Sequence, residues 1–117
     1  MISSISNNLS ALDAFGKSLG VKANNIANMN SDNFKKSRAI ITEGENGGVR
    51  TEISGIDTER ELPSLVSGEE ISETQPSNVD LSEEIPGMLT DEKGYQANLK
   101  FIQTREEMLG SVLDIIA

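Results

Sequence analysis

The chain contains no cysteine, no histidine and no tryptophan, and aromatic residues make up 3% of its 117 positions. Without cysteine there is no disulfide framework and no thiolate zinc site; the compartment stays open, because an oxidising location does not require cysteine. Without histidine the commonest metal ligand and the usual general base are missing. So few aromatics, with a mean hydropathy of -0.32, argue against a large self-sufficient core, and 117 residues leave room for one small domain. No apolar run approaches the roughly 18 residues of a membrane span. The first residues lack the basic patch and continuous apolar block of a cleavable signal peptide, so any passage out of the cytoplasm is expected to use another route.

Catalytic patterns are equally scarce. No glycine-rich phosphate loop, nucleophile elbow or metal-ligand cluster occurs. The carboxylate doublets Glu69 with Glu70, Glu83 with Glu84 and Glu106 with Glu107 would point about 100° apart on a helix and so do not converge as a general acid and base. The expectation is a protein that is not an enzyme and needs no cofactor.

What the chain does have is an apolar stripe at each end. Steps of three and four from position 2 meet Ile2, Ile5, Leu9, Leu12, Gly16, Leu19, Ala23 and Ile26. The same stepping from position 85 meets Ile85, Met88, Glu92, Tyr95, Leu99, Ile102, Glu106, Leu109, Leu113 and Ile116. A helix with such a stripe buries it against another helix, so the fold class is mainly α: two long terminal helices in a coiled-coil-like pairing, with a small β-hairpin and an acidic loop between them. The pattern leaves open whether the helices pair within one chain, between copies, or only in an assembly.

Three segments follow. In residues 1–33, Ser3 and Ser4 can cap the start, but seven asparagines and the interior Gly16 and Gly20 oppose helix, at about 0.7 to 1 kcal/mol each relative to alanine. A segment with a helical stripe and poor intrinsic propensity is expected to be loosely ordered alone and to become a helix when the stripe is covered. In residues 34–78, Arg38 to Thr42 reads as a strand, Glu43 to Gly48 as a turn with two adjacent glycines, and Val49 to Ile53 as the return strand. After Gly55 the chain is acidic and interrupted by Pro63 and Pro76, as a linker would be. In residues 79–117, Asp80 with Glu83 resembles a capping box. Pro86 then either kinks the helix or marks its start. From Met88 onward the composition favours a steady helix, roughly 40 Å long to Ile116 at about 1.5 Å per residue.

Charge is unevenly placed within a formal net of -9. Residues 1–38 carry five basic and two acidic side chains, residues 39–92 two basic and fourteen acidic, and the rest balance. An acidic middle beside a mildly basic first helix disfavours nucleic acid and permits attraction between copies.

Two stretches carry a family resemblance. Leu12 to Ala39, with LGVKANNIANMNSDNFKKSRA at its heart, resembles the N-terminal signature of the bacterial flagellar axial proteins of the rod and hook, and Ser77 to Ile116 resembles their C-terminal signature. Asn24, Asn25, Ile26, Ala27 and Asn28 match the first motif, and Phe34 and Lys35 the aromatic and basic pair after it. Tyr95, Gln96, Ala97 and Asn98 match the second motif, and Glu107, Met108 and Leu109 the third. The resemblance implies a structural subunit of the basal-body rod in the periplasm. Such a subunit is exported by the flagellar type III apparatus and polymerises with copies of itself and other axial proteins.

Within that reading, the helix-packing residues are Ile2, Ile5, Leu9, Leu12, Leu19, Ile26, Ile85, Met88, Tyr95, Leu99, Ile102, Leu109, Leu113 and Ile116. The amides of Asn24, Asn25, Asn28, Gln96 and Asn98 suit contacts between copies, since each donates and accepts. Where the family has a glycine in the turn after the first motif this chain has Asn33, the next best residue at positive φ. The middle segment is too short for the outer domain of a hook or distal-rod subunit, which points to a short proximal-rod type. The alternative is a two-helix adaptor that docks one partner and never polymerises.

Overall fold

The computed structural model describes residues 2–58 and 74–116; the Ile2 side chain, and the acidic stretch through residues 59–73, lie outside the described residues. Helix α1 spans Ile2–Ala27, strand β1 Ser37–Glu43, strand β2 Val49–Gly55, and helix α2 Leu81–Ile116. Among the described residues the architecture is two helices and one antiparallel hairpin.

α1 ends where the asparagines begin to compete for its backbone. The Asn28 side-chain amide donates to the Asn24 carbonyl at 2.9 Å and to Asn24 Oδ1 at 3.1 Å, a local bond that gives the last turn an alternative to further helix. Asn33 then turns the chain at φ 61, the left-handed conformation expected of it.

The strands pair in register from Ser37 opposite Gly55 to Glu43 opposite Val49, each two residues longer than the periodicity suggests. Their turn is a short 3-10 element, Glu45–Gly47, with Asn46 at φ 60 and Gly47 at φ 79. Two successive left-handed residues are what the Asn-Gly pair supplies at little steric cost.

α2 starts well before Pro86. Asp80 caps it, its Oδ1 accepting from the Ser82 backbone N–H at 2.9 Å and from the Ser82 hydroxyl at 2.7 Å. Pro86 lies inside the continuous helix, in its second turn, where the missing N–H leaves the Ser82 carbonyl without its helical donor. At 36 residues the helix is about 54 Å long, longer than the stretch from Met88 alone.

The two helices pack antiparallel. Ser4 meets Arg105, whose guanidinium donates to the Ser4 hydroxyl. Phe15 lies over Gly94, Ser18 bonds Asp91, and Lys22 covers Gly87. Each step forward along α1 is matched by one step back along α2, so the register is constant over 18 residues. The hairpin lies along another side of α1, its base beside Asn25 and its tip beside Asn7 and Ser10.

Candidate assembly interface

α1 has three working sides, which follow from about 100° of rotation per residue. The side facing α2 carries Ser4, Phe15, Ser18 and Lys22. Small residues here meet longer ones, Ser4 with Arg105 and Ser18 with Asp91, and the long Phe15 and Lys22 meet glycines. A Cβ on Gly94 would stand 2.5 Å from Phe15 Cζ, with two more ring atoms within 3.0 Å, so the ring needs a glycine there; a Cβ on Gly87 would stand 2.5 Å from Lys22 Cε, the far end of a flexible side chain that can move aside. Between them Asp91, 8% exposed, accepts from the Ser18 hydroxyl at 2.5 Å and from Lys22 Nζ at 2.8 Å. Lys22 also donates to Ser18 at 2.7 Å. The three groups close a triangle in the seam, pairing the charge of Asp91 as its burial requires.

The second side binds the hairpin. Asn25 is 0% exposed; its Oδ1 accepts from the Ser37 N–H at 3.0 Å and its Nδ2 donates to the Ser37 carbonyl at 2.8 Å. At the tip, Ser10 Oγ accepts from the Val49 N–H at 3.1 Å while donating to the Asn7 carbonyl at 2.7 Å. The hairpin base is also tied to the lead-in of α2. Asn78 Oδ1 accepts from the Lys36 N–H at 2.6 Å, and its Nδ2 donates to the carbonyls of Ile56 and Thr58 at 2.8 and 3.0 Å. Asn33 and Gln75 exchange two further bonds, and Lys36 pairs with Glu83 at 2.8 Å.

The third side is the apolar stripe, and it faces neither α2 nor the hairpin squarely. Ile5 is 38% and Leu9 55% exposed, and Leu12, Leu19 and Ile26 are half-buried. The stripe is centred about 100° round α1 from the α2 seam, on the side away from the hairpin. On α2 the corresponding stripe is offset by about 70° from its own seam. Because the helices are antiparallel, the two offsets carry both stripes to the same side of the pair. Met88, Tyr95 and Ile102 are half-buried along it and Leu99 is exposed; Ile85 lies further round and is exposed. The result is one apolar face built from both terminal helices and left open opposite the hairpin.

α2 then runs on past the start of α1. Met108, Leu109, Val112, Leu113, Ile115 and Ile116 are all exposed, Ile115 at 82%. Arg105, Met108, Leu109 and Val112 line a shallow apolar hollow of about 230 Å³.

The remaining amides of the sequence motifs lie apart. Asn24 is exposed and bonded to Asn28; Gln96 is exposed and donates to Glu92 at 3.0 Å; the half-buried Asn98 donates to the Gly94 carbonyl at 2.9 Å. Asn25 differs from them in being committed to the chain's own hairpin. Sequence reasoning overlooked the seam residues Phe15, Ser18, Lys22, Gly87, Asp91 and Gly94, and the clamp residue Asn78. The available signal was Phe15, Ser18 and Lys22 recurring at steps of three and four, a second and mostly polar stripe beside the apolar one.

No described helix is long and apolar enough to cross a membrane. Residues 75–115, the lead-in and nearly all of α2, match the family described as flagellar basal body rod FlgEFG protein C-terminal. Among curated proteins none matches the chain.

Proposed function

We propose that this chain is a structural subunit of the flagellar basal-body rod, of the short proximal-rod type, which joins copies of itself and other axial proteins through its terminal helices. The family match over α2 supports a flagellar structural role. The observation that carries the reading is the open apolar face: two helices already paired through a polar seam still present Ile5, Leu9 and Leu99 to solvent on one side. A contiguous apolar face of this kind on a small chain marks a surface meant for protein.

In this reading the rod face is Ile5, Leu9, Leu12, Leu19 and Ile26 with Met88, Tyr95, Leu99, Ile102 and Leu109, extended by Leu113 and Ile116. Asn24, Asn28 and Gln96 stand clear of the seam, where amides can bond across a wet lattice, whereas the half-buried Asn98 lies on the seam side of α2. The subunit reaches the periplasmic rod through the flagellar type III apparatus, and its role is architectural rather than enzymatic.

The test is incorporation. Leu9→Asp and a truncation after Arg105 are made in the full chain and expressed in cells lacking the native copy. Both proteins are expected to accumulate as folded chains and to be missing from isolated basal bodies. Normal incorporation of both would overturn the proposal, and a stable complex of fixed size with one partner would identify an adaptor instead.

A further inference from the structure

We infer that α2 carries two similar seats for α1, one heptad apart, and that the hairpin clamp selects the one observed. The occupied seat is Asp91-Glu-Lys-Gly94: Asp91 takes Ser18 and Lys22, and Gly94 takes the Phe15 ring. Seven residues earlier the sequence reads Glu84-Ile-Pro-Gly87, again an acid followed at the third position by glycine. Glu84, like Asp91, is buried. The apolar neighbours repeat at the same interval, through Met88, Tyr95, Ile102 and Leu109. Seven residues are two helical turns, so a slide by that amount returns every side chain to nearly the same direction.

After such a slide Phe15 would lie over Gly87, Ser18 and Lys22 would reach Glu84, and Ser4 would face Asn98 in place of Arg105. No other shift by whole heptads offers a glycine to Phe15 and an acid to Lys22 together; Glu107 with Gly110 repeats the spacing but lies 16 residues beyond the first seat, about 160° round the helix. The second seat is incomplete at one point, because the Lys22 stem would cover Asp80 where the first seat has Gly87. A polar group in a helix seam is an established way to fix register, and register jumps of whole turns are a known mode of switching.

The clamp decides between the seats. A heptad slide displaces α2 by about 10 Å, which breaks every bond joining its lead-in to the hairpin: Asn78 to Lys36, Ile56 and Thr58, Asn33 to Gln75, and Lys36 to Glu83. The slide would also push about two more turns of α2 beyond the start of α1. Register therefore sets how much of the apolar C-terminal end projects.

The absence of native cysteine allows a direct readout. Ser4→Cys with Arg105→Cys reports the observed register, and Ser4→Cys with Asn98→Cys the shifted one, each read as disulfide yield in the full chain. In the otherwise native chain the 4–105 link is expected to dominate. Releasing the clamp and the first seat together, with Asn78→Ala and Asp91→Ala, is expected to raise the 4–98 link at least several-fold. Gly94→Ala, which blocks the Phe15 seat and alters no charge, should move the balance the same way. Adding Glu84→Ala should return the 4–98 link to its starting level. The inference is overturned if neither Asn78→Ala with Asp91→Ala nor Gly94→Ala raises the 4–98 link, whether or not the 4–105 link survives, or if that link persists without Glu84.

Discussion

Asn25 grips both backbone groups of Ser37, accepting from its N–H at 3.0 Å and donating to its carbonyl at 2.8 Å from a fully buried position. The pair of bonds fixes the first residue of β1 against the last turns of α1, so a single amide joins helix and hairpin. Replacing Asn25 with aspartate keeps the shape and the acceptor but turns the donor into an oxygen facing the Ser37 carbonyl. Leaving a buried group unsatisfied costs about 1–3 kcal/mol, more for a charge. Asn25→Asp is therefore expected to destabilise the chain by at least that amount in urea unfolding. The Ser37 amide should lose its hydrogen-exchange protection sooner than the amides of α2.

Gly94 and Gly110 lie on the same helix and should respond to alanine with opposite signs. Alanine at an exposed helical site gains about 0.5–1 kcal/mol over glycine. A Cβ at Gly110 meets nothing within 4 Å, whereas one at Gly94 lies 2.5, 2.7 and 3.0 Å from three atoms of the Phe15 ring. Overpacking of this kind costs about 1–3 kcal/mol, which outweighs the propensity gain. Gly110→Ala should raise the melting temperature and Gly94→Ala should lower it.

Thr51 holds a buried hydroxyl that, among the described residues, has no hydrogen-bond partner. Valine has nearly the same shape, suits a strand at least as well and carries no polar atom. Thr51→Val is expected to stabilise the chain by about 1 kcal/mol, seen as a higher urea midpoint with an unchanged slope. A destabilised variant would mean that the hydroxyl is bonded in solution.

The fold was legible in the sequence where one signal acted alone. Two adjacent glycines between alternating residues located the hairpin turn, whereas Asp80 and Pro86 gave conflicting signals for the start of α2, which the structure puts at Leu81. A proline in the second turn removes one bond, and the Asp80 cap offsets part of that loss. The choice of face on α1 was less legible, because two stripes coexist on it. Hydrophobicity selects Ile5, Leu9, Leu12 and Leu19, yet the helix pair closes on Phe15, Ser18 and Lys22. Gly87, Asp91 and Gly94 lie 60 or more residues away in sequence, and only their shapes and charge make the polar side the better fit. Asn25 was read as an amide suited to bonds between copies; that both of its bonds stay inside the chain depends on where Ser37 arrives, which local sequence does not reveal.

On the proposed function the split between the two stripes separates stability from assembly, and Leu9 is where the separation is sharpest. Its side chain is 55% exposed, so aspartate there forfeits little buried area, and exposed substitutions usually change stability by about 0.5 kcal/mol or less. The difference in helix propensity is of similar size. Leu9→Asp should therefore unfold within about 1 kcal/mol of the native chain. In the assembled face the same residue would place a carboxylate among Ile5, Leu12 and the apolar residues of a neighbour, and an unpaired buried charge costs several kcal/mol. Asp91→Asn should give the converse pattern, weakening the seam between α1 and α2 while leaving the outer face intact. Unfolding curves of the two variants, set beside their sedimentation with axial partners, would test this. Equal loss of stability and of association in both would show that one surface serves both purposes.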